Sequence, residues 1–244
     1  MAGHSKWANI KHRKAKQDAV KGKIYTRLIR EITVAARMGD ADPNANPRLR
    51  AAVDKAYAAN MSRDVVDRAI KRGAGGMEGA DVEEIRYEGY GPGGVAVIVD
   101  CMTNNRNRTV ADVRHAFSKG GGNLGTDGSV AWLFAKMGEI SLPAGVDEER
   151  VMEVALEHGA DDVTVNGDGS MEVMTSPESF HACLKAIQEA GFKTEEAEIG
   201  WHAKTGAPIA DRETAEKFLA MVDLLEELDD VQNVFSNAEL PDDL

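Results

Sequence analysis

A chain of 244 residues, 43% apolar, can build one large domain or two to three small ones, and its formal charge of -12 would on its own argue against a polyanionic partner. Cys101 and Cys183 share no short spacing, and the six histidines form no HExxH or Cys-pair set; this excludes a disulfide framework and a structural zinc and gives no cofactor to expect. The longest clear apolar run, VAVIV at 95–99, is far short of the roughly twenty residues of a membrane span, and the N-terminus lacks the apolar stretch of a secretory leader, so a cytoplasmic protein with no membrane partner is expected.

The charge is unevenly placed. The first thirty residues carry nine Lys or Arg (Lys6, Lys11, Arg13, Lys14, Lys16, Lys21, Lys23, Arg27, Arg30) against the single acid Asp18, a local balance of +8. Residues 1–75 hold 17 basic and 7 acidic side chains, and the remainder holds 12 and 34. Fields decay over about 8 Å in physiological salt, so a basic segment acts on its own neighbourhood whatever the distant acidic body carries. Such asymmetry points to nucleic acid or an anionic surface. His4, Trp7, Asn9 and His12 interleave the cations, unlike a plain solvated lysine face. Residues 4–22 have too few apolar positions to fold alone. Trp7 either staples this arm to the helices or stacks on a base; the staple is preferred, because stacking platforms use several aromatics.

KGKIYTRLIREITVAARMG predicts the first helix, with Ile24, Leu28, Ile32, Ala35 and Ala36 on one side and Lys23, Arg27, Arg30 and Arg37 on the other, facing outward. Gly39 ends it and DADPNANP connects it to a second helix, about Pro47 to Ala59. Ser62 or Asn60 caps a third, SRDVVDRAIKRG, and GAGGMEGAD reads as a linker across which the charge changes sign. EEIRYEGYGPGGVAVIVDCM then reads as two strands about a glycine–proline turn. A helix RTVADVRHAFSK follows, with Thr109 and Asp112 in capping-box form, and after it a strand SVAWLFAK. From Gly138 the order is strand EISL, helix, strand, strand, helix and strand EIGWHA, the ferredoxin-like βαββαβ unit. The C-terminal helix AEKFLAMVDLLEELD and strand VQNVF complete the sheet begun at 84–135, so the unit between them is an insertion.

Reactive constellations are scarce. GYGPGG and GGGNLG fit GxGxxG but stand in the wrong context for a dinucleotide, since neither leads from a strand into a helix; they read as tight turns. There is no GxxxxGK[ST] and no GxSxG. Cys183 reads as a core thiol, and Trp201 with His202 as part of a half-buried edge strand. TNNRNRT at 103–109 offers Arg106 and Arg108 at a helix start, a natural phosphate contact or an ordinary capped loop.

GHSKWANIKHRK, DAVKGKIYTRLIREI, NPRLR, RAIKRG, YEGYGPGGVAVIVDCMTNNRNRT and NLGTDGSVAWLF resemble the YebC/PmpR family from residue 2 to about 238. The resemblance implies a helical N-terminal domain and two α+β domains around a cleft, the third inserted in the second. Many members are described as DNA-binding transcriptional regulators; others, among them the mitochondrial translational activator of cytochrome oxidase subunit one, act in translation. Ser62 departs from the proline often found at the start of the third helix, which alters a cap and not a contact.

Together these readings give an α+β multidomain chain. A basic three-helix domain spans 1–75, a middle α+β domain takes 82–137 plus 205–240, and an acidic ferredoxin-like domain, 138–204, is inserted in it. The expected function is that of a non-enzymatic, DNA-binding transcriptional regulator. Its contacts are Lys6, Trp7, Lys11, Arg13, Lys14, Lys16, Lys21, Lys23, Arg27 and Arg30, with Arg106 and Arg108 beside them. The alternatives are a factor on ribosomal RNA or the ribosome, a cleft enzyme using Asp100, Asn104 and Arg106, and an adaptor whose acidic insert, 15 acids to 3 bases over 139–200, recruits a protein.

Overall fold

The computed structural model describes residues 21–76 and 82–241, and these fall into two compact units: residues up to Ala131 together with those from Gly206, and the inserted Trp132–Thr205. The expected α+β organisation, with one unit inserted in the other, is present.

In the first unit, α1 (Lys21–Met38), α2 (Pro47–Ala58) and α3 (Arg63–Lys71) enclose a core of Ile32, Ala35, Ala36, Leu49, Ala52, Val53, Ala56, Met61, Val66 and Ala69. Asn46 joins the first two. Its Oδ1 caps α2 by accepting from Leu49 N at 3.1 Å, while its Nδ2 donates to Ala35 O at 2.9 Å and Asp40 O at 2.8 Å. Of the two cap candidates for α3, Ser62 holds the N-cap position without a side-chain bond, and Asn60 instead turns the chain at φ 62. Gly73 permits the closest approach of the α3 end to α1: a Cβ there would lie 2.2 Å from Thr33 O.

The middle part of this unit is a four-stranded antiparallel sheet of β1 (Glu83–Tyr90), β2 (Ala96–Thr103), β3 (Asn123–Leu124) and β9 (Val231–Ser236), in the order β3-β1-β2-β9. Odd-numbered residues of β2 (Val97, Val99, Cys101) pack on Val113, Ala116 and Phe117 of α4 (Arg106–Lys119) and on Phe218, Met221, Val222 and Leu225 of α7 (Arg212–Glu226). The turn between β1 and β2 uses Gly93 and Gly94 at positive φ, so GYGPGG is the tight turn expected. Two short strands, β8 (Ala207–Pro208) and β10 (Ala238–Glu239), pair in parallel near the re-entry point.

The inserted unit has β4 (Phe134–Leu142), α5 (Glu148–Glu157), β5 (Ala160–Val165), β6 (Met171–Thr175), α6 (Phe180–Glu189) and β7 (Glu196–Ala203), with sheet order β5-β6-β4-β7 and every pairing antiparallel. This is the ferredoxin-like arrangement. One assignment is corrected. SVAWLFAK and EISL are not strands of two different sheets: after a short turn at Ala131–Leu133 the chain runs as the single strand β4. The insert therefore begins at Trp132, and the third strand of the middle sheet is the two-residue β3. A run broken by Gly138 looks like two strands in sequence. Here the glycine is needed because a Cβ would sit 2.4 Å from Phe180 Cδ2 and Thr175 Oγ1.

Gly138→Ala is therefore expected to lower the stability of the inserted unit by about 1–3 kcal/mol through overpacking, as a reduced urea midpoint without a change in slope.

Candidate nucleic-acid interface

The helical periodicity of α1 was expected to put its basic stripe in solvent. Instead the helix is buried on two sides, with Ile32, Thr33, Val34, Ala35 and Ala36 all within the interior. The stripe faces the C-terminal end of α7. Lys23 Nζ donates to Glu227 O at 2.8 Å, and the guanidinium of Arg27 donates to Glu226 O. Arg30 donates to Asp229 O and, at 3.2 Å, to Met102 O, and lies 3.1 Å from Asp230 Oδ1. Arg37 donates to Val82 O. The last carbonyls of a helix lack intrahelical donors and carry the negative end of its dipole, so cations settle there. The sequence LEELDD adds carboxylates to that end. Burial pulls the Arg27 guanidinium below its usual value, with Glu226 and Asp229 opposing. Lys23, Arg27 and Arg30, expected as contacts to a partner, thus donate within the protein to the end of α7 and its junction with β9.

Asp230 is the focus of this contact. It is 5% exposed and accepts from Thr109 Oγ1 at 2.7 Å, Thr103 Oγ1 at 3.2 Å and Arg108 Nη2 at 2.9 Å, with Arg30 on its other oxygen. Its own carbonyl accepts from Met102 N at 2.8 Å. Burial works against the charge, but the Thr109 and Arg108 hydrogen bonds outweigh it and hold the carboxyl below its usual range. Arg108, expected as a phosphate contact, braces Asp230. The capping box expected of Thr109 and Asp112 is absent too. Asn105 caps α4 by accepting from Arg108 N at 3.1 Å, and Thr109 is left to serve Asp230.

Arg106, in the first turn of α4, is exposed, as are Lys71 and Arg72 at the end of α3. Lys6, Trp7, Lys11, Arg13, Lys14 and Lys16 lie outside the described residues, as does the side chain of Lys21. Asp100 pairs in register with Arg86 and Asn233, on the sheet face away from α4 and α7, whereas Asn104 and Arg106 stand at the head of α4; the three do not form one set. Cys101 and Cys183 are buried, and burial pushes the Cys101 thiol up to about 12, so neither has thiolate character. His202 lies 3.6 Å from Glu139 across β7 and β4. No group of three or more His, Cys, Asp or Glu able to hold a metal ion occurs among the described residues, and no described helix is long and apolar enough to cross a membrane.

Comparison with known proteins covers both units. The TACO1/YebC protein N-terminal domain matches residues 5–76, and the TACO1/YebC second and third domain matches residues 82–238. The chain belongs to the TACO1/YebC family. A "Probable transcriptional regulatory protein" of Pseudomonas savastanoi is 63% identical over 244 residues, covering 100% of this chain and 98% of that one, and a relative of the same description from Francisella tularensis matches to the same extent. The crystal structure of a conserved hypothetical protein from Aquifex aeolicus superposes with a TM-score of 0.85 at 48% identity, over 93% of this chain and 94% of that one. Family membership fixes the frame in which the Asp230 contact operates: a TACO1/YebC N-terminal domain held to the second domain by cations of α1.

Because the native carboxyl of Asp230 titrates below its unfolded value of about 3.9, its stabilisation is present above that pH and is lost as pH falls through the native value. Asp230→Asn should cost about 3 kcal/mol at pH 7 and flatten the acid limb below about pH 4, read by circular dichroism in a urea series at each pH.

Proposed function

We propose that this family member is a non-enzymatic nucleic-acid-binding regulator, with duplex DNA the leading target. Its phosphate grip comes from Lys6, Lys11, Arg13, Lys14, Lys16 and Lys21, assisted by Arg106. The observation that carries the reading is the division of labour among the first nine cations. Lys23, Arg27 and Arg30 are spent on α7 and Asp230, so they fasten the helix to which the basic arm is joined. The remaining six are the contacts proposed to meet phosphate and release its counterions. The regulator descriptions of the 63% identical relatives agree with this reading.

A second reading, structured RNA such as that of the ribosome, is favoured by one feature. α1 is enclosed on two sides and cannot enter a major groove, and on α3 Arg63 lies 4.0 Å from Asp67 while Arg68 turns back to Asp64 O at 3.1 Å. The arginines of α1 and Arg63 and Arg68 of α3 are thus engaged within the protein, which favours backbone and shape over sequence.

Replacing Lys11, Arg13, Lys14 and Lys16 by Glu should weaken binding to duplex DNA or structured RNA and reduce the slope of log K against log salt by about 3 to 4, measured by fluorescence anisotropy. Arg27→Ala and Arg30→Ala should instead lower the melting temperature and leave that slope unchanged. An unaltered slope in the fourfold variant would remove the arm from the interface.

A further inference from the structure

The inserted unit carries 15 acidic and 5 basic residues between 132 and 205, and two of the five bases stand together. The chain enters β4 through WLFAK (132–136) and leaves β7 through GWHAK (200–204), and neither stretch contains an acid. The ladder sets Lys136 opposite Trp201 and Phe134 opposite Ala203. Lys204 N donates to Leu133 O at 2.9 Å, and Lys204 Nζ donates to Trp132 O at 3.1 Å. Two of the three tryptophans of the chain and two lysines are thereby gathered at one end of a single strand pair.

The parity of the strands locates this end. Ile140, Leu142, Ala197 and Ile199 face α5 and α6 in the core of the insert, so Lys136 and Trp201 lie on the same face. Lys136 is exposed and Trp201 half-buried on that face, while Phe134, nearer the end of the strand, is buried. Trp132 is 66% exposed. Lys204 Nζ reaches the main chain of Trp132, so an exposed indole and an ammonium group share this end of the strand pair. The partner's chemistry follows. An indole offers a π-face to any planar base, lysines offer charge to a phosphate, and the acid-free ends are where an anion can approach an otherwise anionic unit. In a duplex the base faces are already stacked on one another; only an unpaired base can receive the indole.

We propose that this end of the β4–β7 pair binds single-stranded nucleic acid, with Trp132 stacking on a base and Lys136 and Lys204 contacting the flanking phosphates. The proposal rests on the nucleic-acid reading above but places a second contact on a different unit from the arm.

The test uses the full chain with labelled U12 and dT12 as single strands and a blunt duplex as control. Trp132→Ala should weaken both single strands by about 5- to 100-fold and leave the duplex untouched, and Trp132→Tyr should recover most of the loss. Lys136→Ala with Lys204→Ala should lower the single-strand salt slope by about 1.4. Ultraviolet crosslinks to the oligonucleotide should map to 132–136 or 200–204. Wild-type affinity for U12 and dT12 in a Trp132→Ala protein of unchanged circular dichroism, or crosslinks confined elsewhere, would overturn the proposal. The fourfold arm variant separates the two readings. Loss of duplex binding in it alone leaves the regulator standing without this patch, and loss of single-strand binding in Trp132→Ala alone leaves the patch without the arm.

Discussion

The structure depends on one buried carboxylate and the cations gathered round it. Asp230 stands where α7 gives way to β9, and it is reached by Arg30 from α1, by Arg108 and Thr109 from α4 and by Thr103 from β2. Three stretches far apart in sequence, α1, β2 with α4, and the α7–β9 junction, are tied at one point. A carboxylate removed from water is a liability unless each lone pair finds a donor, and here both oxygens do. Lys23 and Arg27 extend the same logic to main-chain carbonyls, neutralising the end of α7 where its dipole and the acids of LEELDD would otherwise repel each other.

A second buried acid organises the exit from the middle sheet in a similar way. Glu88, 2% exposed, accepts from Gly128 N at 3.0 Å and from Val130 N and Ala131 N at 2.8 Å each. Burial opposes its charge, and the three main-chain donors together with Arg86 prevail, holding its carboxyl below the ordinary range. In both cases a buried acid serves as a structural ligand that gathers donors from neighbouring segments. The acidity of the chain is thus only partly a solvated surface; some of it is internal wiring.

Much of the fold was legible in the residue pattern. Helix ends were set by local chemistry, with Pro47 and Asn46 opening α2 and Gly39 closing α1, and the βαββαβ order of the insert follows from alternating periods of two and 3.6. Two things were not. The continuity of β4 through Gly138 depends on its contact with Phe180, which no local pattern announces. The fate of the α1 stripe was hidden because a helical wheel reports which side is polar but not what that side meets. LEELDD was visible as an acidic run, but so were several others, and only the tertiary fold selects it. Arg108 shows the same limit: an arginine at a helix start has one appearance whether it awaits a phosphate or braces an internal carboxylate. Trp132 and Trp201 are some seventy residues apart, and their placement toward the same end of the β4–β7 pair follows from the register alone.

The separation in sequence across the α1–α7 contact, 199 residues for both Arg27 and Arg30, has a consequence for biogenesis. The basic helix is made first and its acceptors almost last, so during synthesis its guanidinium groups are unclaimed until the final helix has emerged. A chain that stops short of residue 226 lacks those acceptors and keeps that cationic stripe bare. Completion of the C-terminus is in this sense a maturation step: it supplies the carbonyls and the Asp230 carboxylate on which the cations of α1 settle.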